Sequence, residues 1–444
     1  VVVLGVVAGG VYLVREGGRK YPSEWDPRVA SLAAWVAEHR HLDFEHPVTV
    51  NFLTATEYTA ASTGGGGEAS ADQQESLDQA EAELRAFGLI SGDIDLGKES
   101  DTLSDSGSLA FYSPATEQVY VRGTELTPGV RVTLAHELTH VLQDQHFDLD
   151  LGGDRGQVQR ALAEGDAGRI EDEYRTKVLT DDEQTEADTQ QQGSDEDQEA
   201  VESVSPVLTA LFAAPYWFGP QLIAYLDQTG GDERIDEALQ DPPTSEVLFD
   251  PLLYGSDAAK EPADPPKAKA PAGAKVLEED TVGPTVWYLM ISARLDEKAA
   301  LQAVDGLAAD AYVLYRDGEE TCVNAVATAD TPEDLSQFAN ALMLWAGQSP
   351  GGTATVEQGD GMVRLRSCDP GTDAPAVGSV EVDALALPVV RTQLYNELRK
   401  QGATDDQARC FVKRAISELS VDELTGPSSP ELQAKITEIA TGCR

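Results

Sequence analysis

The residues equipped for chemistry are concentrated in one stretch, VTLAHELTHVLQDQHF, from Val132 to Phe147. It contains His136-Glu137-Leu138-Thr139-His140, an H-E-x-x-H pattern. A helix places residues four apart on one face. His136 and His140 can therefore present two imidazoles to one zinc ion, and Glu137, one step round, reaches a water polarised there. The chain has only six histidines, so a chance match to this pattern is rare. The plainer reading is a buried helix that carries two histidines without using them.

A catalytic zinc site needs a third protein ligand and an open position for water. Two residues are candidates. His146 lies ten positions after His136, as in the H-E-x-x-H-x-x-G-x-x-H arrangement, but Gln143 stands where that arrangement has its helix-breaking glycine. A continued helix turns about 100° per residue and carries His146 off the ligand face. Glu164 lies on the next expected helix, within Ala161-Leu162-Ala163-Glu164-Gly165-Asp166-Ala167-Gly168. Small residues there favour a close helix–helix approach, at a cost of about 1 kcal/mol for each glycine relative to alanine.

HELTHVLQDQHFDL followed by ALAEGDA resembles the gluzincin branch of the zincin metallopeptidases. More narrowly, it is similar to a group of membrane-anchored bacterial zinc-peptidase-like proteins. The resemblance is specific between about residues 110 and 175 and weaker to about 255. It implies a zincin-like fold, His136, His140 and Glu164 as zinc ligands, Glu137 as general base, and a peptide or protein substrate. The chemistry also calls for a Tyr or His beside the developing oxyanion; Tyr174 and Tyr254 are candidates, with a structural aromatic the plainer reading of each. One departure stands out. Many gluzincins carry an Asp four residues after the ligand Glu to orient a histidine, and here that position is Gly168. Asp166 and Asp144 are the alternatives for that task.

The elements that must position these residues are legible around them. Thr127 is an N-cap candidate, with Pro128 at the first helical position. Just upstream, strands Leu109–Ser113 and Gln118–Arg122 form a hairpin whose edge can accept an extended peptide. A second long helix is expected over 157–179. The acid-rich segment 181–202 reads as a disordered insert, and helical segments follow over 206–239. Further upstream, residues 24–39 read as an amphipathic helix. His39, His41 and His46 follow it at irregular loop spacing, and a strand begins at Pro47. Residues 60–76 read as a flexible loop and 92–108 as a polar loop.

The expected architecture is α+β: a zincin-like metallopeptidase domain over 21–255, a linker over 256–275, a small α/β domain over 276–368, and a C-terminal helical unit over 380–444. Within the small domain a helix is expected over 283–304, a hairpin about Asp317-Gly318, a helix over 332–346, and strands near 353–357 and 361–367. Thr404 with Gln407 forms a capping box.

Charge and cysteines bound the setting. With 32 basic against 78 acidic residues the chain carries −46, which repels nucleic-acid phosphates and anionic lipid surfaces. Cys322, Cys368, Cys410 and Cys443 contain no C-x-x-C pair. Their even number and wide spacing suit two disulfides in an oxidising compartment, and pairing within each unit gives Cys322–Cys368 and Cys410–Cys443. The opening VVVLGVVAGGVYLV, followed by Arg15, Arg19 and Lys20, reads as part of a transmembrane or signal-anchor segment over 1–20. The expectation is thus a membrane-anchored, extracytoplasmic zinc metallopeptidase-like hydrolase. Two alternatives stand beside it: a non-catalytic envelope scaffold that keeps a structural zinc, and a zinc amidase of cell-wall peptides.

Overall fold

A computed structural model describes residues 21–63, 70–147, 149, 152–260 and 266–443. They form a mixed α+β chain with two separate sheets. The expected anchor segment over 1–20, the glycine run at 64–69 and residues 261–265 of the expected linker lie outside the described residues. Two compact units are present. One runs through Asp78 and adds Asp95–Gly152 and Gln159–Pro242. The other comprises Gln79–Ile94, Gly153–Val158 and the chain from Pro243 onward.

The first unit holds, in chain order, α1 (Ala30–Arg40), β1 (Thr49–Leu53), α2 (Ala55–Ser62), the start of α3 (Ala71–Ala86), α4 (Leu96–Asp105), β2 (Ala110–Ser113), β3 (Gln118–Arg122), α5 (Pro128–Phe147), α6 (Gly153–Val178, here from Gln159), α7 (Asp181–Gln191), α8 (Asp195–Glu202) and α9 (Pro206–Gln240). Its sheet has the order β1-β3-β2, with β1 parallel and β2 antiparallel to β3. Val50 of β1 and Val119 and Val121 of β3 are buried with Val132, Leu134, Ala135, Leu138, Val141 and Leu142 of α5, Val29, Leu32, Ala33 and Val36 around α1, and Ile170 of α6. The histidine helix is therefore the centre of this core. Its start follows the expected signals: Pro128 is its first residue, and the Thr127 hydroxyl accepts from the Val130 N–H.

Four segments of the first unit differ from the sequence expectation. Residues 60–76, expected as a flexible loop, include the end of α2 and the first turns of α3. The first helix begins at Ala30 and not near 24, because Pro27 lies in the turn before it. Residues 92–108, expected as loop, contain α4, whose Asp95 N-cap accepts from Lys98 N–H. The acid-rich segment 181–202, expected to be disordered, forms α7 and α8. Both start with capping boxes, Thr180 with Glu183 and Ser194 with Asp197. Their acids cluster in the first turn, where the helix dipole favours negative charge. Ala187 is buried, and Arg131 pairs with Glu183.

Helix α9 is the one helix among the described residues that is long and apolar enough, by length and composition, to cross a membrane; over half of its apolar window is buried. It breaks at Gly231, where φ is 65°. Gly219 of α9 meets Gly165 of α6 backbone to backbone: a Cβ on Gly165 would overlap Gly219, and one on Gly219 would overlap the Ala161 carbonyl. This is the close helix approach expected from the small residues around Glu164. Gly168 has open space at its Cβ position and plays no part in it.

The second unit adds α10 (Glu246–Phe249), β4 (Lys275–Asp280), α11 (Gly283–Ser292), α12 (Glu297–Val304), β5 (Leu307–Asp317), β6 (Glu320–Ala329), α13 (Pro332–Ala346), β7 (Ala354–Gly359), β8 (Met362–Cys368), α14 (Ala386–Lys400), α15 (Asp405–Glu418), α16 (Val421–Thr425) and α17 (Pro430–Gly442). Its sheet has the order β4-β5-β6-β8-β7, antiparallel throughout. The single helix expected over 283–304 is two, separated before Asp296, which caps the second. Both expected disulfides are formed. Cys322–Cys368 ties directly opposed residues of β6 and β8, and Cys410–Cys443 ties α15 to the end of α17.

Candidate metal centre

Helix α5 projects His136 and His140 from one face, and α6 brings Glu164 to the same point. Nε2 of His136 lies 3.0 Å from Nε2 of His140 and 3.2 Å from Oε2 of Glu164. Nε2 of His140 lies 3.4 Å from the same Glu164 oxygen. A tetrahedral ion with bonds of about 2.0–2.1 Å holds its ligand atoms roughly 3.3–3.4 Å apart, so the spacing fits such an ion.

The far sides of the rings decide what these atoms can do. Nδ1 of His136 lies 2.9 Å from Glu171 Oε2, a carboxylate that only accepts, so Nδ1 carries the proton. Nδ1 of His140 lies 2.8 Å from Oε1 of Gln143. The Gln143 amide nitrogen donates to the Ala163 carbonyl at 3.1 Å and to Asp166 Oδ2 at 2.9 Å, which fixes Oε1 as the end facing the imidazole. Both Nε2 atoms of the neutral rings therefore aim lone pairs at one another and at a carboxylate. Such a donor set is satisfied by a cation, and two imidazoles with one carboxylate suit zinc.

Metal-free, the same geometry favours protons. Burial disfavours an imidazolium at His136, but Glu164 and Glu171 outweigh it and hold the ring well above the usual histidine range. His140 is likewise raised, with burial overcome by Glu164. Burial opposes ionisation of Glu164, yet the two histidines hold it well below the ordinary carboxyl value.

Glu137 points elsewhere. Its Oε2 accepts from the Tyr112 N–H at 2.7 Å. In the β2–β3 ladder Arg122 N–H donates to the Leu109 carbonyl. The alternation of antiparallel pairing then turns the Tyr112 N–H to the outer edge of the sheet. Burial raises the Glu137 carboxyl above its usual value, partly offset by His136 and His140. A buried carboxylate raised in this way can take a proton from a water polarised beside it.

No protein family, characterised protein or solved structure matches this chain.

The other sequence candidates lie elsewhere. His146, the rival third ligand, is on the continuing helix and donates from Nε2 to the Asp43 carbonyl at 2.8 Å. His39 donates to the Trp35 carbonyl, His41 pairs with Asp232, and His46 lies beside Gln145. Asp144 accepts from the Tyr112 hydroxyl at 2.5 Å. Tyr174 packs edge-on against Trp35. Tyr254 belongs to the second unit. Among the described residues one other group of potential ligands is close-set, Glu320 with Cys322 and Cys368, and its sulfurs are joined in the disulfide.

Three residues near the centre were not assigned a role from sequence. Glu171 lies seven positions after Glu164, two turns along the same face, and takes the first histidine where Gly168 cannot. Gln143 holds the second. Tyr216 of α9 lies beside Glu164: burial first, then the Glu164 charge, holds its hydroxyl well above the ordinary tyrosine range. An aromatic run such as PYWFGP around Tyr216 is more often core packing than a ligand box. Its Gly219, three residues on, was the available signal, because that glycine packs against the residue next to Glu164.

Proposed function

We propose that this protein is a zinc-dependent peptide hydrolase with a zincin-like centre in its first unit. The convergence of His136 Nε2, His140 Nε2 and Glu164 Oε2 within 3.0–3.4 Å, with Glu137 beside them but bonded elsewhere, carries this reading. Three protein ligands leave a place for water, whereas structural zinc sites close with four. That difference favours a hydrolase over a scaffold.

When bound, the zinc ion supplies Lewis-acid chemistry, polarising a carbonyl and bringing the pKa of a water to about 7. The chain does the rest. Glu137 takes the water proton and passes it to the leaving amine. The outer edge of β2, with the Tyr112 N–H directed at Glu137, lies where an extended peptide can add as a further strand. Tyr216 stands beside Glu164 with its hydroxyl placed to donate to the developing oxyanion. Glu171 and Gln143 keep the two imidazoles turned inward.

Placement outside the cytoplasm is supported by the two disulfides. The tether belongs, on this proposal, to the apolar opening segment, with α9 a core helix held by its Gly219 contact. The −46 charge favours peptide over nucleic-acid or anionic-lipid partners.

Turnover is the test of the hydrolase. Zinc-loaded protein should cleave a mixed peptide library, and Glu137→Gln should lower the rate by at least a hundredfold while keeping its zinc. Equal rates in the two proteins would leave the centre without the assigned base and sink the hydrolase reading.

A further inference from the structure

We propose that Gln143 is a positioning residue whose amide joins His140 to a buried ionic group, and that the centre depends on an amide at this place and not on a carboxylate. The proposal rests on the metal-centre reading above and deepens it.

Gln143 lies three residues after His140 on α5 and is fully buried. The two sides of its amide meet different demands. Oε1 accepts from Nδ1 of His140 at 2.8 Å. Nε2 donates to Asp166 Oδ2 at 2.9 Å and to the Ala163 carbonyl at 3.1 Å. Each of these neighbours can do one thing only: Nδ1, with Nε2 turned to the centre, must donate, and the carbonyl and the carboxylate must accept. An amide satisfies all three, and a carboxylate satisfies one.

Asp166 is itself immobilised. It is fully buried and accepts from Arg40 Nε at 2.7 Å and from Arg169 Nη2 at 2.9 Å. Arg40, also fully buried, reaches on to Asp236, and Arg169 reaches Asp232. The two arginines compensate the Asp166 charge. A further carboxylate at position 143 would face Asp166 with no cation between them.

The two histidines are thus held by different chemistry. His136 leans on the Glu171 carboxylate, which Gln191 of α7 steadies through a hydrogen bond of 2.7 Å. His140 leans on a neutral amide, and the charge sits one residue further back.

The test is zinc affinity, measured by chelator competition on the full chain, for wild type, Gln143→Leu and Gln143→Glu. Loss of an outer-shell partner weakens a metal site about 10–100-fold. Both variants should lose at least fivefold, and the Glu variant should lose at least as much as the Leu variant. A loss below fivefold in either, or tighter binding by Gln143→Glu than by Gln143→Leu, overturns the proposal.

Histidine-selective 15N NMR of the wild type removes any dependence on how the variants fold. His140 should show a protonated Nδ1 in both metal-free and zinc-loaded protein, with Nε2 the nitrogen shifted by zinc. An unprotonated Nδ1, or zinc on Nδ1, overturns the proposal. A wild type that binds no zinc at all is a different result, because it removes the metal centre itself.

Discussion

At the scale of single residues the centre is an arrangement of proton donors and acceptors that leaves one position for a cation. Tyr216 gives the sharpest prediction after Glu137. Its phenol lies beside Glu164 but is not one of the three proposed ligands, so Tyr216→Phe should keep zinc at full stoichiometry. If the same hydroxyl stabilises the oxyanion, kcat should fall about 10²–10³-fold with little change in KM, measured on any peptide the wild type cleaves. An unchanged kcat would return Tyr216 to a packing role. The meeting of His136, His140 and Glu164 could be expected from spacing and resemblance because H-E-x-x-H fixes two side chains on one helical face. Glu171, Gln143 and Tyr216 could not, because their roles depend on which neighbour each side chain meets. Nothing in the spacing of Gln143 distinguishes a buried amide from an exposed one; only Asp166 and Ala163 on the next helix make the difference.

At the scale of elements, the site depends on the approach of α6 to α5 and α9. Gly165 and Gly219 make the approach of α6 to α9 possible, so Gly165→Ala should force these two backbones apart. Overpacking of this kind costs about 1–3 kcal/mol. Thermal unfolding of the metal-free protein should shift down accordingly, and zinc affinity should fall because Glu164 is the adjacent residue. An unshifted transition would show that the helices have room to spare. Elements with strong local signals were readable in advance: α5 from Thr127 and Pro128, α13 from Pro332, the β5–β6 turn at Gly318, and the α15 capping box at Thr404. The acid-rich helices α7 and α8 were not. Their charge count argues for a solvated chain, whereas their stability comes from capping boxes and from Ala187 and Glu183 meeting partners distant in sequence. Strand β4 was missed because its residues Lys275–Asp280 are mostly polar and half-exposed; its pairing with β5 supplies what its own pattern lacks.

At the scale of the whole molecule, the acidic composition has a consequence for stability. Glu246, in the second unit, is buried with neither carboxylate oxygen hydrogen-bonded. Burial, and then Asp330, Asp154, Asp305 and Asp250, push its pKa from 4.5 to about 9. A carboxyl raised on folding is more protonated folded than unfolded between those values. Its contribution is fully present below pH 4.5 and declines as pH rises towards 9, by up to about 1.4 kcal/mol per pH unit. Glu246→Gln should therefore unfold at higher denaturant than wild type at pH 8, with the gap closing towards pH 4.5. A gap independent of pH would contradict this. The division into two units follows from contacts between segments far apart in sequence, such as Glu83 with Tyr312 and Ala86 with Ser367, which no local pattern announces.

The account rests on three donor atoms from two helices meeting at one ion. Its most direct test is the zinc content of purified wild type beside Glu164→Ala, His140→Ala and His146→Ala, after removal of loosely bound metal. One zinc per chain in wild type and in His146→Ala, with loss from the other two, is the predicted result. No zinc in wild type, or zinc retained by Glu164→Ala and lost from His146→Ala, would contradict it.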